Sequence, residues 1–269
     1  MRERVADCRS RAWRKRAVAT TAAFVLSIAS VPRLATAEPP PPRDWDLELD
    51  LYGWIPATDL DIDGTALGED FSRTFDKHLD DAFSDLDGGG GGDVRFRWKR
   101  LVGYFDGAWV QTDENSKGWF TNSLADAKLG VRVLDLNAPF SSPLADEKPR
   151  ITLDLLAGAR YRRSQTNLDI FTTNGETRWH DDREWVDPLI GIAWEIELMK
   201  NLRFGTVADI GGFDVGNASS LAWSINPRLS YRAWDHLNLF VGWKHLSEDK
   251  DSNFETTISG PQAGIGWTF

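Results

Sequence analysis

Apolar and polar residues alternate over most of the chain. In the first such segment, Asp44–Trp54 (DWDLELDLYGW), every second residue is apolar and nearly all the others are acidic. An extended strand places alternate residues on opposite faces, so this segment has one apolar face and one charged face. A soluble β-sandwich would pack the apolar face into a core. An outer-membrane barrel would turn it towards lipid and the charged face towards a lumen.

Ten alternating segments follow one another and decide between these two architectures. They begin near residues 45, 93, 101, 126, 151, 187, 202, 221, 237 and 262. None of their apolar faces carries a charge, and a lysine or arginine facing lipid near the midplane would cost roughly 2–4 kcal/mol. The pattern therefore predicts an all-β fold, an antiparallel transmembrane up-and-down β-barrel of about ten strands over residues 45–269. Eight or twelve strands are the alternative counts.

The connections between the segments also alternate in length, as they do in bacterial barrels with short periplasmic turns and longer outer loops. Long acidic outer loops are predicted at 55–92, 113–123, 166–182 and 247–253. The connection 137–149 is longer than a periplasmic turn should be. Pro188 and Pro227 fall within strands, where a missing N–H donor predicts a bulge. Tryptophans near both strand ends predict aromatic girdles at the two membrane interfaces.

The long first outer loop contains a predicted short helix. Apolar residues recur at helical spacing in Phe75–Phe83 (FDKHLDDAF), just before the glycine run Gly88–Gly92. This amphipathic segment would either plug the barrel mouth or lie on the surface of the loop. The glycines would give the loop the freedom to adopt either position.

The amino terminus has the pattern of an export signal. A basic stretch is followed by an apolar run, shorter than a membrane-spanning helix requires, and by the small residues Ala35 and Ala37. The predicted organisation is therefore a signal peptide (1–37), a Pro-rich spacer (38–44) and the barrel (45–269). The only cysteine, Cys8, lies in the signal peptide, so the mature chain would need no disulfide.

The mature chain would be strongly acidic. It retains 23 Lys and Arg and 39 Asp and Glu, hence a net charge of −16. Such a surface disfavours nucleic acid as a partner.

Several stretches resemble bacterial outer-membrane barrels. The chain ends in GPQAGIGWTF (Gly260–Phe269), which looks like the terminal strand of these proteins. EWVDPLIGI (Glu184–Ile192), ADIGGFDVG (Ala208–Gly216) and FVGWKHL (Phe240–Leu246) resemble uncharacterised members with OmpA-like or OmpW-like barrels. The resemblance implies location in the cell outer membrane after export, with the lipid bilayer and lipopolysaccharide as surroundings. It also implies that Phe269 is the signal read by the barrel-assembly machinery.

Charged residues on the polar faces are predicted to fill the lumen. Acidic and basic residues are balanced there, which favours a packed interior of ion pairs over a selective pore, where one sign would dominate. The predicted lumen charges are Asp46, Glu48, Asp50, Arg95, Asp106, Lys128, Arg132, Asp154, Arg160, Arg162, Glu195, Arg203, Asp209, Arg228 and Lys244.

Two motifs suggest other chemistry. The acids of DLDIDG together with a later aspartate match the spacing of an EF-hand loop without its flanking helices, so a calcium site is predicted at Asp59, Asp61, Asp63 and Asp70. The same alternation could equally extend a β-hairpin above the membrane. No other cofactor is expected. Histidines occur beside acids at His180, and also at His78 and His245, but no GxSxG or HExxH motif is present. No catalytic residue is predicted.

These patterns lead to one functional expectation and two alternatives. The expectation is an integral outer-membrane barrel that is non-enzymatic and structural, with acidic outer loops. The first alternative is a narrow porin-like channel for small solutes, gated by the first-loop helix. The second alternative is a hydrolase whose site lies on an outer loop.

Overall fold

The computed structural model describes residues 44–80, 88–114, 118–137, 149–173, 175–251 and 254–269. Contacts divide the chain into two units, Met1–Thr36 and Ala37–Phe269, and all described residues belong to the second. The predicted signal peptide and most of the spacer therefore lie outside the described residues. The strands are β1 (Trp45–Trp54), β2 (Ala57–Ala66), β3 (Glu69–Lys77), β4 (Gly88–Trp98), β5 (Leu101–Glu114), β6 (Gly118–Asn137), β7 (Arg150–Thr172), β8 (Gly175–Met199), β9 (Leu202–Gly212), β10 (Leu221–Arg232), β11 (Leu237–Asp251) and β12 (Phe254–Thr268).

Ten of these strands close into a barrel. All pairs are antiparallel, and the order runs β1, then β4 to β12 in sequence, with β12 pairing back onto β1. The register of closure includes Leu49 opposite Trp267 and Tyr52 opposite Gly264. This closed barrel satisfies the backbone of every member strand on both sides, which is what a lipid environment requires. The predicted all-β, ten-stranded barrel is confirmed.

The region predicted as the first outer loop is largely a β-hairpin. β2 continues β1 after an interruption at Ile55 and Pro56, where Ile55 N donates to Pro261 O at 3.1 Å. β2 pairs with β12 on one side and with β3 on the other. Phe75 lies in β3, so the helix does not begin there as predicted, although Leu79 and Asp80 are helical. The remainder of the predicted helix from residue 81 lies outside the described residues.

The glycine run Gly88–Gly92 is also strand, not a flexible hinge. It forms the first half of β4 and pairs with β1 and β5. The run is needed because bulky residues of β1 occupy the space above it. A Cβ at Gly91 would lie 2.6 Å from the Tyr52 hydroxyl. Gly91 is directly opposite Tyr52, and Gly89 is opposite Trp54.

Several strands are too long for a membrane span alone. β9 and β10 have 11 and 12 residues, close to the roughly 9–11 that cross a bilayer. β7 and β8 have 23 and 25 residues. The predicted loops at 113–123, 166–182 and 247–253 are therefore mainly strand extensions, and their prediction as loops is wrong. The prediction failed because these extensions have the opposite polarity to the closed barrel: their apolar residues face inward and their charged residues face outward.

The extensions form a second structure above the closed barrel. The upper parts of β5, β6, β7 and β8 make one four-stranded sheet, and β11, β12, β2 and β3 make the other. Side chains join the two sheets: the rings of Trp185 and Phe254 meet edge to face at 5.7 Å, and those of Phe71 and Trp179 at 5.2 Å. We call this part the outer sandwich.

The core of the outer sandwich is apolar and continues down into the barrel. We call it the apolar plug. Its largest members are fully or almost fully buried: Trp54, Leu60, Ile62, Val110, Phe120, Leu168, Ile170, Trp185, Leu246, Phe254 and Ile258. The apolar side chains face inward, and Asp61 and Asp63 are exposed on the other face of β2. This arrangement, with an apolar inside and a polar outside, is that of a water-soluble domain.

The outside of the closed barrel has the opposite character. Exposed large apolar side chains cover it, among them Leu51, Leu129, Leu155, Ile190, Val241 and Ile265. Trp98 and Trp267 are exposed near the short turns, and Trp109 and Trp223 are exposed near the outer sandwich. An apolar band between two aromatic rows is the surface of a transmembrane barrel.

The predicted bulges at the two prolines are not found. Pro227 pairs with Thr206 in unbroken register, and Pro188 pairs with Ala159 at the level where the β8–β9 ladder stops. Pro188 needs no donor on its β9 side because pairing begins only at the next residue, Leu189. Register shifts occur instead at 132/134, 197/199 and 249/251. No helix in the described ranges is long and apolar enough to cross a membrane.

Candidate functional site: a charged lumen closed by an apolar plug

The closed barrel brings the predicted lumen charges together. Alternate positions of each strand point inward, so charges far apart in sequence meet in the interior. The structure places on the inner face Asp46, Glu48, Asp50, Arg95, Asp106, Lys128, Arg132, Asp154, Arg160, Arg162, Glu195, Arg203, Asp209, Arg228 and Lys244. All of these side chains except Asp46 and Glu195 are at least three-quarters buried, and each lies within 4.0 Å of an oppositely charged side chain.

One cluster joins β1, β4 and β10. Arg95 donates to Asp50 at 2.5 Å, and Arg228 bridges Asp50 at 3.1 Å and Asp93 at 2.6 Å. Glu48 accepts hydrogen bonds from Arg203 and Asn238 at 3.0 and 2.9 Å. Three carboxylates thus share three guanidinium groups across the lumen. Such pairing is required because an unpaired ion in this interior would cost several kcal/mol, roughly 3–5 when one partner is removed.

A second cluster joins β6, β7 and β9. The Arg160 guanidinium binds both oxygens of Asp126, at 2.7 and 2.8 Å, and reaches Asp209 at 3.0 Å. Lys128 donates to Asp209 at 2.5 Å. Ser224 adds a neutral donor to Asp209 at 2.8 Å. The two acids and two bases balance, so this cluster is a cross-brace between strands with no net charge.

Tyrosine hydroxyls connect further pairs. Tyr104 donates to Asp154 at 2.8 Å, which also binds Arg132 at 2.8 and 3.2 Å. Tyr52 donates to Asp106 at 2.6 Å, and Lys244 contacts both of these side chains. The tyrosines were not among the predicted site residues. Alternation along a strand shows which face a tyrosine lies on, but it does not show that its hydroxyl binds a carboxylate on another strand.

These clusters line an open part of the lumen. A cavity of about 440 Å³ is lined by inward residues of the closed barrel and by residues next to the short turns, including Lys200, Asp235 and His236. Asp126 and Arg160 lie at its inner end. We call this cavity the vestibule. Its lining carries both signs of charge, and it opens towards the end that bears the chain terminus Phe269.

Above the clusters the apolar plug occupies the lumen. Leu124 and Leu246 line the inner end of the vestibule and belong to the same buried cluster as Phe120 and Phe254. A hydrated ion entering the plug would lose its water to an apolar surface, at a cost of many kcal/mol. The arrangement is therefore a cup that is open on the short-turn side and closed on the outer side.

The predicted calcium residues do not form an EF-hand loop. Asp59, Asp61 and Asp63 stand on the outward face of extended β2, and Asp70 lies opposite Thr65 in β3 and accepts its hydroxyl at 2.8 Å. A strand spaces alternate residues too widely to enclose one ion, so the predicted loop geometry is wrong. Within the described ranges, no group of three or more His, Cys, Asp or Glu side chains could hold a metal ion.

Burial among other acids changes the protonation of one of these residues. Partial burial raises the pKa of the Asp59 carboxyl to about 6, and the neighbouring carboxylates Asp61, Asp76 and Glu255 add to the rise. Hydrogen bonding from Arg163 does the opposite to Asp182, lowering its pKa to about 2. Both groups belong to the outward face of the outer sandwich.

The histidines considered for hydrolysis lie on different faces. His180 points outward with Nδ1 3.1 Å from the Asn167 side-chain oxygen. Its neighbour Asp181 points inward and pairs with Arg183. His78 is exposed, 3.7 Å from Asp76, and His245 stacks on Trp223 on the outer wall at 4.4 Å. In the part of the chain that the structure describes, these contacts do not assemble a nucleophile, a base and an orienting acid.

Sequence reasoning missed one buried ion pair in the outer sandwich. Arg162 was predicted as a lumen charge, but its partner Glu248 fell in a segment predicted to be a loop. Their charged atoms, Nη2 and Oε2, lie 2.7 Å apart, and neither side chain has exposed surface. The signal was available: Leu246, Glu248 and Lys250 keep the inward period of β11 beyond the predicted strand end.

Comparison with known proteins supports the architecture. No protein-family model and no curated protein matches the chain. Among solved structures, the outer-membrane protease OmpT from Escherichia coli matches with a TM-score of 0.54 and 11% identity, over 83% of this chain and 97% of OmpT. Neisserial surface protein A matches at 0.35 and 11%, over 84% and 98%. Ail of Yersinia pestis matches at 0.35 and 10%, over 84% and 100%. The fold of this chain is that of outer-membrane β-barrels.

Proposed function

We propose that the protein is an integral outer-membrane barrel that is non-enzymatic and does not conduct ions, and that it holds the outer sandwich above the membrane. The observation that carries this proposal is the apolar plug, which fills the lumen from Trp54 upward. The exported, outer-membrane location rests on the apolar band and on the fold. The paired lumen charges then act as braces between strands.

The surroundings follow from the same surface. The band contacts the lipid bilayer, and the aromatic row beside the outer sandwich lies at the level of lipopolysaccharide. Phe269 is exposed at the short-turn end, with its N–H donating to Leu47 O at 2.9 Å, and serves as the signal for the barrel-assembly machinery. The acidic outward face of β2 and β3 is the surface presented to the exterior.

A narrow channel is the second candidate, and one observation favours it. The vestibule of about 440 Å³ would already provide half of a pathway. Conduction would require the plug to move aside. The plug joins both sheets of the outer sandwich through Trp185 and Phe254, so its removal would separate those sheets.

Conductance in planar bilayers tests the proposal. The refolded mature chain is expected to show no stable ion conductance. A variant with Phe120→Gly and Phe254→Gly, which removes two plug side chains, is expected to conduct in brief openings. The matched control, Phe171→Gly, removes an exposed phenyl ring at a hairpin tip and should stay silent. Stable conductance of the unmodified chain would overturn the closed barrel in favour of the channel.

A further inference from the structure

A row of polar side chains crosses the otherwise apolar plug. Arg160, Arg162, Ser164 and Thr166 occupy four successive inward positions of β7, and none is more than 2% exposed. Asn122 lies opposite Ser164 on β6, and Thr256 lies opposite Glu248 on the facing sheet. Since Glu248 is 2.7 Å from Arg162, these residues form one continuous set. We call it the polar file.

The polar file contains many atoms without a hydrogen-bond partner in the described part of the protein. They include both amide atoms of Asn122, the hydroxyls of Ser164, Thr166 and Thr256, and Nε and Nη1 of Arg162. Even the Arg162–Glu248 contact has ion-pair distance without hydrogen-bond geometry. A buried polar group left unsatisfied costs about 1–3 kcal/mol, so this many in one place points to a small polar ligand.

Both ends of the file lie beside residues with exposed surface. At the inner end Arg160 lines the vestibule, and its Nη1 has no partner among the described residues. At the outer end, Ser164 and Thr166 lie opposite Arg183 and Asp181 of β8. The side chains of Arg183 and Asp181 are 24% and 21% exposed. The file therefore leads from the vestibule through the plug to the surface of the outer sandwich.

We propose that the polar file binds a chain of water molecules and makes the closed barrel permeable to water. Water suits these groups because it both donates and accepts hydrogen bonds, and a buried water bridges two to four polar groups. The alternation of hydroxyls, an amide and an ion pair offers both donors and acceptors along the whole row. The proposal rests on the membrane location proposed above, and adds a path that the plug alone would not provide.

Ions and larger solutes are excluded from the same path. Arg162 and Glu248 already neutralise each other in its middle, so an ion that entered would lose its hydration without gaining a counterion. Leu168 and Phe120, both at most 3% exposed, border the file. Because they are apolar, they offer no groups that could replace the water around an ion. Water can pass such a constriction as single molecules because it is neutral and its hydrogen bonds are replaced by those of the file.

Osmotic shrinkage of proteoliposomes, followed by stopped-flow light scattering after a sucrose jump, tests the proposal. Liposomes with the refolded mature chain are expected to shrink faster than protein-free liposomes. The test variant combines Asn122→Leu, Ser164→Ala, Thr166→Val and Thr256→Val, which keeps the Arg162–Glu248 pair and side-chain volume. It is expected to lose the protein-dependent part of the rate. If liposomes with the wild-type protein shrank no faster than protein-free liposomes, the proposal would be overturned.

The matched control changes a buried polar pair that is outside the file. Thr58 and Thr112 share a hydrogen bond at 3.3 Å between β2 and β5, and the double variant Thr58→Val, Thr112→Val should keep the full rate. Equal loss in both variants would show a general effect on the plug and refute the file. Flotation and protease protection of the same liposomes report insertion, so failure of the membrane location is seen separately from failure of the water path.

Discussion

Arg162 of β7 and Glu248 of β11 face each other across the outer sandwich at 2.7 Å, each with no exposed side-chain surface. Glu248 pairs with Ala222 of β10 and Thr256 of β12, whereas Arg162 pairs with Leu124 of β6 and Trp185 of β8, so their strands are not neighbours. The charge pair thus adds to the other contacts between the two sheets, which include ring pairs, the Thr58–Thr112 pair and the hydrogen bonds from Thr173 to Glu69.

The first prediction concerns this pair. Glu248→Leu leaves the Arg162 charge buried without a counterion and should destabilise the folded protein by about 3–5 kcal/mol. The double variant Arg162→Met, Glu248→Leu removes both charges and should recover most of that loss. Urea unfolding in phospholipid vesicles, followed by tryptophan fluorescence, measures both. Equal destabilisation by the single and double variants would contradict the coupling.

The second prediction concerns the apolar plug. Phe254→Ala removes a ring that is 1% exposed and packs on Trp185, so the free energy of unfolding should fall by about 3–5 kcal/mol. Phe171→Ala is the control, because that ring is 63% exposed and its loss should change stability little. The same vesicle unfolding assay compares them. A large effect at Phe171 would mean that the hairpin tip is buried in the membrane-bound state.

The third prediction tests the lipid-facing band. Leu129 is 64% exposed on the outside of the closed barrel, and Leu129→Arg should cost roughly 2–4 kcal/mol in a bilayer. Asp63 is equally outward but lies on the outer sandwich, so Asp63→Arg should cost almost nothing. The difference between the two, measured as the free energy of folding into vesicles, reports the position of the membrane boundary. No difference would place both residues in water.

The fourth prediction concerns pH and Asp59. The folded-state pKa of about 6 is above the ordinary 3.8, so the folded outer sandwich binds this proton more tightly than the unfolded chain. The associated stability is fully present below about pH 4 and is lost as the pH rises through 6. Because the group is only half-buried, we expect under about 1 kcal/mol after solvent screening. Asp59→Asn should flatten this slope in melting curves taken from pH 4 to 7, whereas Asp63→Asn should leave it unchanged.

The fifth prediction concerns the glycine run of β4. Gly91→Ala would place a methyl group against the Tyr52 ring and the Gly107 carbonyl and should impair folding. Gly53→Ala should be tolerated, since nothing lies within 4 Å of its Cβ position. Heat-modifiable electrophoretic mobility distinguishes folded from unfolded barrels. Normal folding of the Gly91 variant would show that Tyr52 can move away.

The closed barrel was predictable from sequence because lipid imposes one rule on every outward position. Leu49, Leu155 and Val241 obey it alike, and the inward charges follow from their alternation with such residues. The outer sandwich was not predictable in the same way. There Leu60 and Ile62 turn inward while Asp61 and Asp63 turn outward, and an alternating pattern does not say which face is buried. Only the lateral pairing of β2 with β12 resolves that choice.

The sequence also could not predict which charged residues of the lumen pair with each other. Balanced charges on the inner faces indicated ion pairs, but Arg160 could have met any carboxylate of the barrel. Its pairing with Asp126 and Asp209 depends on the stagger between β6, β7 and β9. The register shifts at 132/134, 197/199 and 249/251 also lie away from the prolines, where a sequence-based interpretation would place them.

The unequal backbone pairing of the two halves has a consequence for folding. Every strand of the closed barrel has neighbours on both sides, whereas in the outer sandwich the described part of β3 pairs with β2 alone, and upper β8 with β7 alone. Amide hydrogens of β1 and β9 should therefore exchange only through global unfolding, while those of β3 and upper β8 exchange through local opening at lower free energy. The molecule would then melt from its exterior inward, with the embedded cylinder persisting after the exposed cap has come apart.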